Sequence, residues 1–259
     1  ERESCLGGVP RHVIPSFRIA NETIEKDIAL MEKYGVDVRC GAPAPSVTEL
    51  KAMGYTHIFF AVGAWKAGKL DIPGNIVPVI GWLKDMKAGK EVPLGHVAVV
   101  GGGNVAMDVA RTAMRLGADE VIIVYRRRRD DMTALPEEVG AAIAEGCKLV
   151  QLKAPAAIET DKHGRVKALW VKPQIAGQAD ESGRPKPVPS SAPEEMIPCD
   201  TIISAIGQST DIGFFEQYGI PVFGGNIRAE SSSVVDRVSG TYAGGDCVTG
   251  PSTVINAVA

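Results

Sequence analysis

Short apolar runs rich in β-branched residues alternate along this chain with stretches whose apolar positions recur every three or four residues. The clearest run, Val-Ala-Val-Val at 97–100, predicts a fully buried strand of a parallel sheet. Gly101, Gly102 and Gly103 follow at once. Val105, Val109, Ala113 and Leu116 then recur at helical spacing, and Gly117 sits where a helix would stop. A second apolar run at 121–125 predicts another buried strand. Strand, glycine turn, helix and strand fit into roughly 30 residues, the size of one βαβ unit.

The flanking pattern predicts further elements. Residues 10–18 hold two prolines and predict an irregular loop. Asn21 can cap a helix reaching residues 30–34, with Ile24, Ile28 and Met31 on one face and Gly35 at its end. Residues 36–40 predict a strand, 47–53 a short helix, and 55–64 a buried strand entering a glycine turn. A connector at 73–78 and a helix at 80–87 precede Pro93 and Gly95, which mark a boundary. Pro136 opens a helix over 136–145 with acids near its start. Residues 148–152, 156–160 and 166–172 read as a three-stranded meander with a hairpin turn at 161–164. Residues 174–198, rich in Pro, Ser, Gly and charge, predict an exposed excursion. Residues 201–207 predict a buried strand ending in glycine, 222–238 short strands, and 251–259 the start of a helix. The runs 58–63 and 202–207 echo each other, as two related nucleotide domains would. The first residues show no initiator Met and the last stop inside a helix, as a segment of a longer protein would.

The glycine turn is the first candidate for chemistry. Gly101 allows the tight turn, and Gly103 lets backbone approach a pyrophosphate. Ala106 completes a G-x-G-x-x-A pattern in which a small residue lets helix and strand pack closely. The helix start at Asn104 and Val105 offers N–H groups and a dipole that favour an anion. At the end of the second strand an NAD site usually carries Asp or Glu for the ribose 2′-hydroxyl. This chain has Tyr125-Arg-Arg-Arg-Arg129 instead. Arg126 and Arg127 leave the strand where the adenosine would lie, and guanidinium groups suit a 2′-phosphate. Arg128 and Arg129 serve equally well as a solvated turn paired with Asp130 and Asp131. NADPH is therefore expected in preference to NADH.

Composition narrows the picture. A length of 259 residues, 45% hydrophobic content and 29 glycines suit a glycine-turn α/β protein of one large or two small domains. A net charge of −3 gives no reason to expect nucleic acid. No apolar run is long enough to span a bilayer, and no leader pattern opens the chain. Cys5, Cys40, Cys147, Cys199 and Cys247 are scattered without a C-x-x-C, which argues against a metal or iron–sulfur site here and suits a reducing cytoplasm. His12, His57, His96 and His163 are dispersed too.

Gly7-Gly8 followed by Ile14-Pro-Ser-Phe-Arg18, Ala61-Val-Gly-Ala64, Gly101-Gly-Gly-Asn-Val-Ala-Met-Asp108, Tyr125-Arg-Arg127, Ala205-Ile-Gly207 and Ala243-Gly-Gly-Asp246 occur in that order. The ordered set, over essentially the whole chain, resembles the small (beta) subunit of bacterial glutamate synthase. It is similar as well to the FAD/NADPH half of dihydropyrimidine dehydrogenase and to selenate reductase iron–sulfur subunits.

That resemblance implies an α/β fold of two Rossmann-like dinucleotide-binding domains of the disulfide-reductase-like FAD/NAD(P)-binding type. The NADPH domain, residues 93–212, would be inserted into an FAD domain made of residues 1–92 and 213–259. It implies a flavin-dependent oxidoreductase. A hydride passes from NADPH to FAD, and electrons leave for an iron–sulfur cluster domain or subunit and a reductive catalytic subunit. Asp246 would bind the flavin's ribityl hydroxyls, Thr253 and Val254 would offer helix-start N–H groups, and Glu1, or else Glu3, would bind the FAD ribose. Gly7 and Gly8 would let backbone pass close to the flavin. Ala61 lies in the motif with Gly63, and Gly63 and Gly207 would sit at domain crossings near the two cofactors. A turn needing φ > 0 explains each of these glycines nearly as well, and a helix cap would explain Asp246.

The sequence departs from the family in three places. The first G-x-G-x-x-G and the cluster cysteines are not in it, so the FAD domain is expected to be incomplete and its FAD binding reduced or lost. Met132-Thr-Ala stands where the family has Met-Pro-Ala. Hydride transfer is the cofactors' chemistry, so no side chain is expected to act as acid, base or nucleophile. The competing readings are an NADPH-binding module without its own redox activity, and the electron-input part of a pyrimidine or selenate reductase.

Overall fold

The computed structural model describes residues 1–217, 219–230 and 233–258. The chain divides into two units, Ala67–Gly207 and the combination of Glu1–Lys66 with Gln208–Ala259.

In the unit Ala67–Gly207 a parallel sheet runs in the order Val77–Pro78, Thr201–Ser204, His96–Val100, Glu120–Tyr125, Lys148–Gln151. Helices Val79–Lys87, Asn104–Arg115 and Pro136–Ala144 belong to the same unit. Side chains alternate across each strand. Ala98, Val100, Val124 and Ile202 therefore face Leu169, Val171 and Ile197 of an antiparallel layer in one buried cluster. Val97, Val99, Val121 and Ile123, all at most 1% exposed, fill the opposite face. Burial on both faces is why these runs read as continuously apolar.

Several sequence expectations change here. Residues 67–92 fall in this unit rather than with the chain's start. The cause is local: Val77–Pro78 adds a strand to the parallel sheet, and Trp82, Leu83 and Met86 are buried on the following helix. Lys148–Gln151 is a parallel strand, not part of the meander. Leu152, at φ 56, turns the chain out of that sheet, with its N–H donating to the Arg127 carbonyl at 3.0 Å. The meander proper is Lys153–Thr160, Val166–Ala179 and Glu195–Pro198.

The expected excursion is a β-hairpin in which Val166–Ala179 continues past the meander and pairs with Pro185–Pro189. Pro185, Pro187 and Pro189 stand at alternate positions. Their missing donors therefore all lie on the outer side of an edge strand, where none is needed.

In the other unit Ile58–Phe60 pairs parallel with Thr241–Ala243, which pairs antiparallel with Val234–Asp236. Ile58, Phe60, Phe215, Ile220, Ile227, Ala243 and Cys247 form its core. Phe60 and Phe215 meet edge to face at 5.2 Å. Gly8–His12 is a short helix where a loop was expected, and it packs on the helix Asn21–Lys33. Residues 36–40 form no strand; single bonds tie this stretch to the chain start, with the Glu1 ammonium donating to the Arg39 carbonyl and Gly41 N–H to that of Glu3. Ser46 and Glu49 form a reciprocal cap on the helix Val47–Ala52.

Candidate functional site

The strand His96–Val100 delivers the chain into the glycine turn, and each glycine has its own reason. Gly101 has φ 154, and a Cβ there would lie 2.3 Å from the Ala205 carbonyl oxygen and 3.2 Å from the Ala106 Cβ. Close packing of strand, turn and helix thus requires both Gly101 and a small residue at 106. At Gly102 a Cβ would fall 2.3 Å from the Tyr125 ring. Gly103 differs: its φ is −99, and a Cβ would touch only Thr133 Oγ1 at 3.4 Å. Nothing among the described residues demands a glycine there.

Gly103 is the N-cap of the twelve-residue helix Asn104–Arg115 and supplies no side-chain cap. The Asn104 Oδ1 is turned aside to accept from Leu135 N–H at 2.9 Å, and Val105 is half-buried. An open helix start behind a bare Cα is the arrangement that accepts an anion. The loop after the arginines anchors on the same turn: Thr133 and Ala134 N–H donate to the Gly102 carbonyl at 3.1 and 3.0 Å. A proline at 133 could not make the first of these bonds.

The strand Glu120–Tyr125 ends beside this turn. Tyr125 Oη donates to the Asp131 carbonyl at 2.8 Å, and burial pushes its pKa up. Arg126 is exposed. Arg127 is held in place by an ion pair: its side chain is 8% exposed, and Nη2 donates to Asp180 Oδ2 at 2.6 Å. Its Nη1 is buried with no hydrogen-bond partner. Arg128 pairs with Asp131 through Nε and Nη2 at 2.9 and 3.0 Å, so it serves the turn. Arg129 is exposed, with its backbone N–H donating to the Gln151 side chain. Asp180, on the hairpin, had no signal in the sequence. Gly207, at φ 116, accepts the Gly68 N–H at 2.8 Å, and its conformation alone requires glycine.

In the other unit Asp246 opens the helix Asp246–Thr249. Burial pushes its carboxyl pKa up, and its Oδ1 is buried with no hydrogen-bond partner. Gly7 and Val254 line one mainly apolar cavity of about 620 Å³, together with Leu6, Ile24, Ile28 and Met31. Gly7, Gly8 and Gly63 all have positive φ, and Gly7 is further crowded by the Arg11 Cβ, so the fold itself uses these glycines. Ala61 and Thr253 are exposed, and Thr253 Oγ1 accepts from Asn256 N–H at 3.4 Å. Glu1 turns its carboxylate onto the Glu3 N–H at 2.9 Å.

All five cysteines are free thiols. Among the described residues no helix is long and apolar enough to cross a membrane.

The comparisons with known proteins agree with this architecture. The family model for pyridine nucleotide-disulphide oxidoreductases matches residues 8–259. NADP(+)-dependent formate dehydrogenase subunit beta of Moorella thermoacetica is 34% identical over 98% of this chain and 37% of its own length. The glutamate synthase [NADPH] small chain of Halomonas elongata is 30% identical over 98% of this chain and 58% of its own length. The chain thus spans well under two thirds of these relatives. FprA of Mycobacterium tuberculosis in complex with NADPH shares the fold, with a TM-score of 0.76 over 98% of this chain and 72% of that one, at 17% identity. The chain belongs to the pyridine nucleotide-disulphide oxidoreductase family.

Proposed function

We propose that this chain is the electron-input part of a larger flavin oxidoreductase, with NADPH bound by the unit Ala67–Gly207 and FAD held in part by the other unit. The observation that carries the NADPH assignment is the bare Gly103 at an uncapped helix start, followed on the next strand end by arginines in place of an acid. Gly101 and Gly103 shape the turn for a pyrophosphate, and the N–H groups at Asn104 and Val105 face its charge. Arg126 and Arg127 hold the 2′-phosphate, with the buried Nη1 of Arg127 as a donor in need of an acceptor. Gly207 lets the chain turn at the sheet's end.

The residues of the other unit fit a flavin. The orphaned Asp246 Oδ1 is an acceptor for ribityl hydroxyls, and the cavity lined by Gly7 and Val254 offers an apolar wall. Gly8, Ala61, Gly63, Thr253 and Glu1 complete the proposed FAD contacts. When bound, NADPH supplies a hydride and FAD accepts it. The protein's part is to orient both and to set the charge around them, with no side chain acting as acid or base. Relatives named as a beta subunit and a small chain support a place in an assembly, with an iron–sulfur domain or subunit and a reductive catalytic subunit as partners. Five free thiols support a cytoplasmic setting.

Arg126→Ala tests the phosphate assignment without disturbing a buried pair. Losing one charge-assisted bond should weaken NADPH binding about tenfold and leave NADH unchanged. Equal losses for both dinucleotides would remove the assignment.

A further inference from the structure

We infer that Arg184, carried at the tip of the hairpin formed by Val166–Ala179 and Pro185–Pro189, is a third ligand for the nucleotide's 2′-phosphate beside Arg126 and Arg127, and so helps select NADPH over NADH. The inference rests on the NADPH reading above and extends the site to a segment outside the βαβ unit.

The hairpin tip returns to the strand end that carries the arginines. Asp180 accepts from Arg127 Nη2 through Oδ2 at 2.6 Å, and its Oδ1 accepts from the backbone N–H groups of Ser182 and Arg184 at 2.9 and 3.3 Å. One carboxylate therefore ties the buried Arg127 to the turn that presents Arg184. The Arg184 side chain is half-buried and donates from Nε to Ser182 Oγ at 2.9 Å, which orients the guanidinium and leaves its two terminal nitrogens for a ligand. The charges of Arg184, Arg127 and Arg126 all favour the ionised Tyr125 phenol, against the burial that pushes its pKa up. Tyr125 in turn lies against Gly102 of the glycine turn.

The charge balance favours an anion. Arg126, Arg127, Arg128, Arg129 and Arg184 stand against Asp130, Asp131, Asp180 and Glu181 on the same two segments, with Arg127 matched by Asp180 and Arg128 by Asp131. One positive charge is left over, and a phosphomonoester carries about −1.5 to −2 at neutral pH. The buried Arg127 Nη1, without an acceptor in the protein, is a donor that a bound anion would satisfy. Planar guanidinium groups meeting from two elements are suited to the three oxygens of a phosphate.

Arg184→Gln and Arg184→Lys should be titrated with NADPH, NADH, 2′,5′-ADP and 5′-ADP. The glutamine variant is expected to weaken NADPH and 2′,5′-ADP about tenfold, leaving NADH and 5′-ADP within about twofold. Lysine should restore part of the loss. Unchanged NADPH affinity in the glutamine variant, with the parent chain still preferring NADPH, would overturn the Arg184 assignment alone. An equal loss of all four ligands would make the tip a structural support and overturn it too. A parent chain that binds NADPH and NADH equally would instead overturn the NADPH reading, and this inference with it.

Discussion

A methyl group at Gly102 would lie 2.3 Å from the Tyr125 ring, whereas one at Gly103 would touch only Thr133 Oγ1 at 3.4 Å. Gly102→Ala must push a buried ring aside and should cost about 1–3 kcal/mol of stability. Gly103 has backbone angles open to any residue, φ −99 and ψ 175. Gly103→Ala should therefore leave the melting temperature nearly unchanged while weakening NADPH binding tenfold or more, because the Cβ occupies the pyrophosphate's approach. Melting curves and NADPH titrations of the two variants check this, and undiminished binding by Gly103→Ala would remove the pyrophosphate from this turn. Gly103 could be singled out in the sequence because the G-x-G-x-x-A pattern is local. The role of Gly102 could not, since the ring it meets is 23 residues away in the chain. Arg127 shows a further limit. Its place on the strand end was readable, but its burial against Asp180, 53 positions later, was not.

Elements with a strong period came through well: the strand His96–Val100, the helix Asn104–Arg115 and the strand Glu120–Tyr125 match their predicted spans closely. The hairpin did not, because three prolines and a charged turn look like a loop until an edge strand gives them a place. Contacts between elements were also invisible in the sequence. Arg111, on the helix behind the glycine turn, donates to Glu138 at 2.7 Å and to Glu145 at 2.9 and 3.0 Å, and Arg115 donates to Glu145 at 2.7 and 3.1 Å. These bonds join the helices Asn104–Arg115 and Pro136–Ala144. The two arginines hold the Glu145 carboxyl down to about 2, from a usual 4.5. A depressed carboxylate contributes stability that is complete above the unfolded value and lost as pH falls through the folded one. Glu145→Gln should therefore cost about 1–2 kcal/mol at neutral pH. That difference should shrink as pH falls from about 4.5 toward 2, as melts at several pH values would read. A difference that stays constant with pH would show that the carboxylate's charge contributes nothing.

At the scale of the molecule, two units share one family fold, and their candidate sites differ in how much of the chemistry they display. The unit Ala67–Gly207 carries glycine turn, open helix start and arginine cluster within itself. The other offers Asp246 and an apolar cavity. The resemblance read from ordered motifs agrees with the family match over residues 8–259 and with relatives at about 30% identity. The unit boundaries were harder to read, since residues 67–92 carry no cofactor motif and join their unit only through tertiary packing. The most direct measurement is a titration of this chain with NADPH and NADH side by side, on a sample shown to be folded. NADPH should bind saturably and at least tenfold tighter than NADH, with the preference fading as salt screens the arginines. Equal affinity for the two, or binding of neither, would contradict the NADPH assignment.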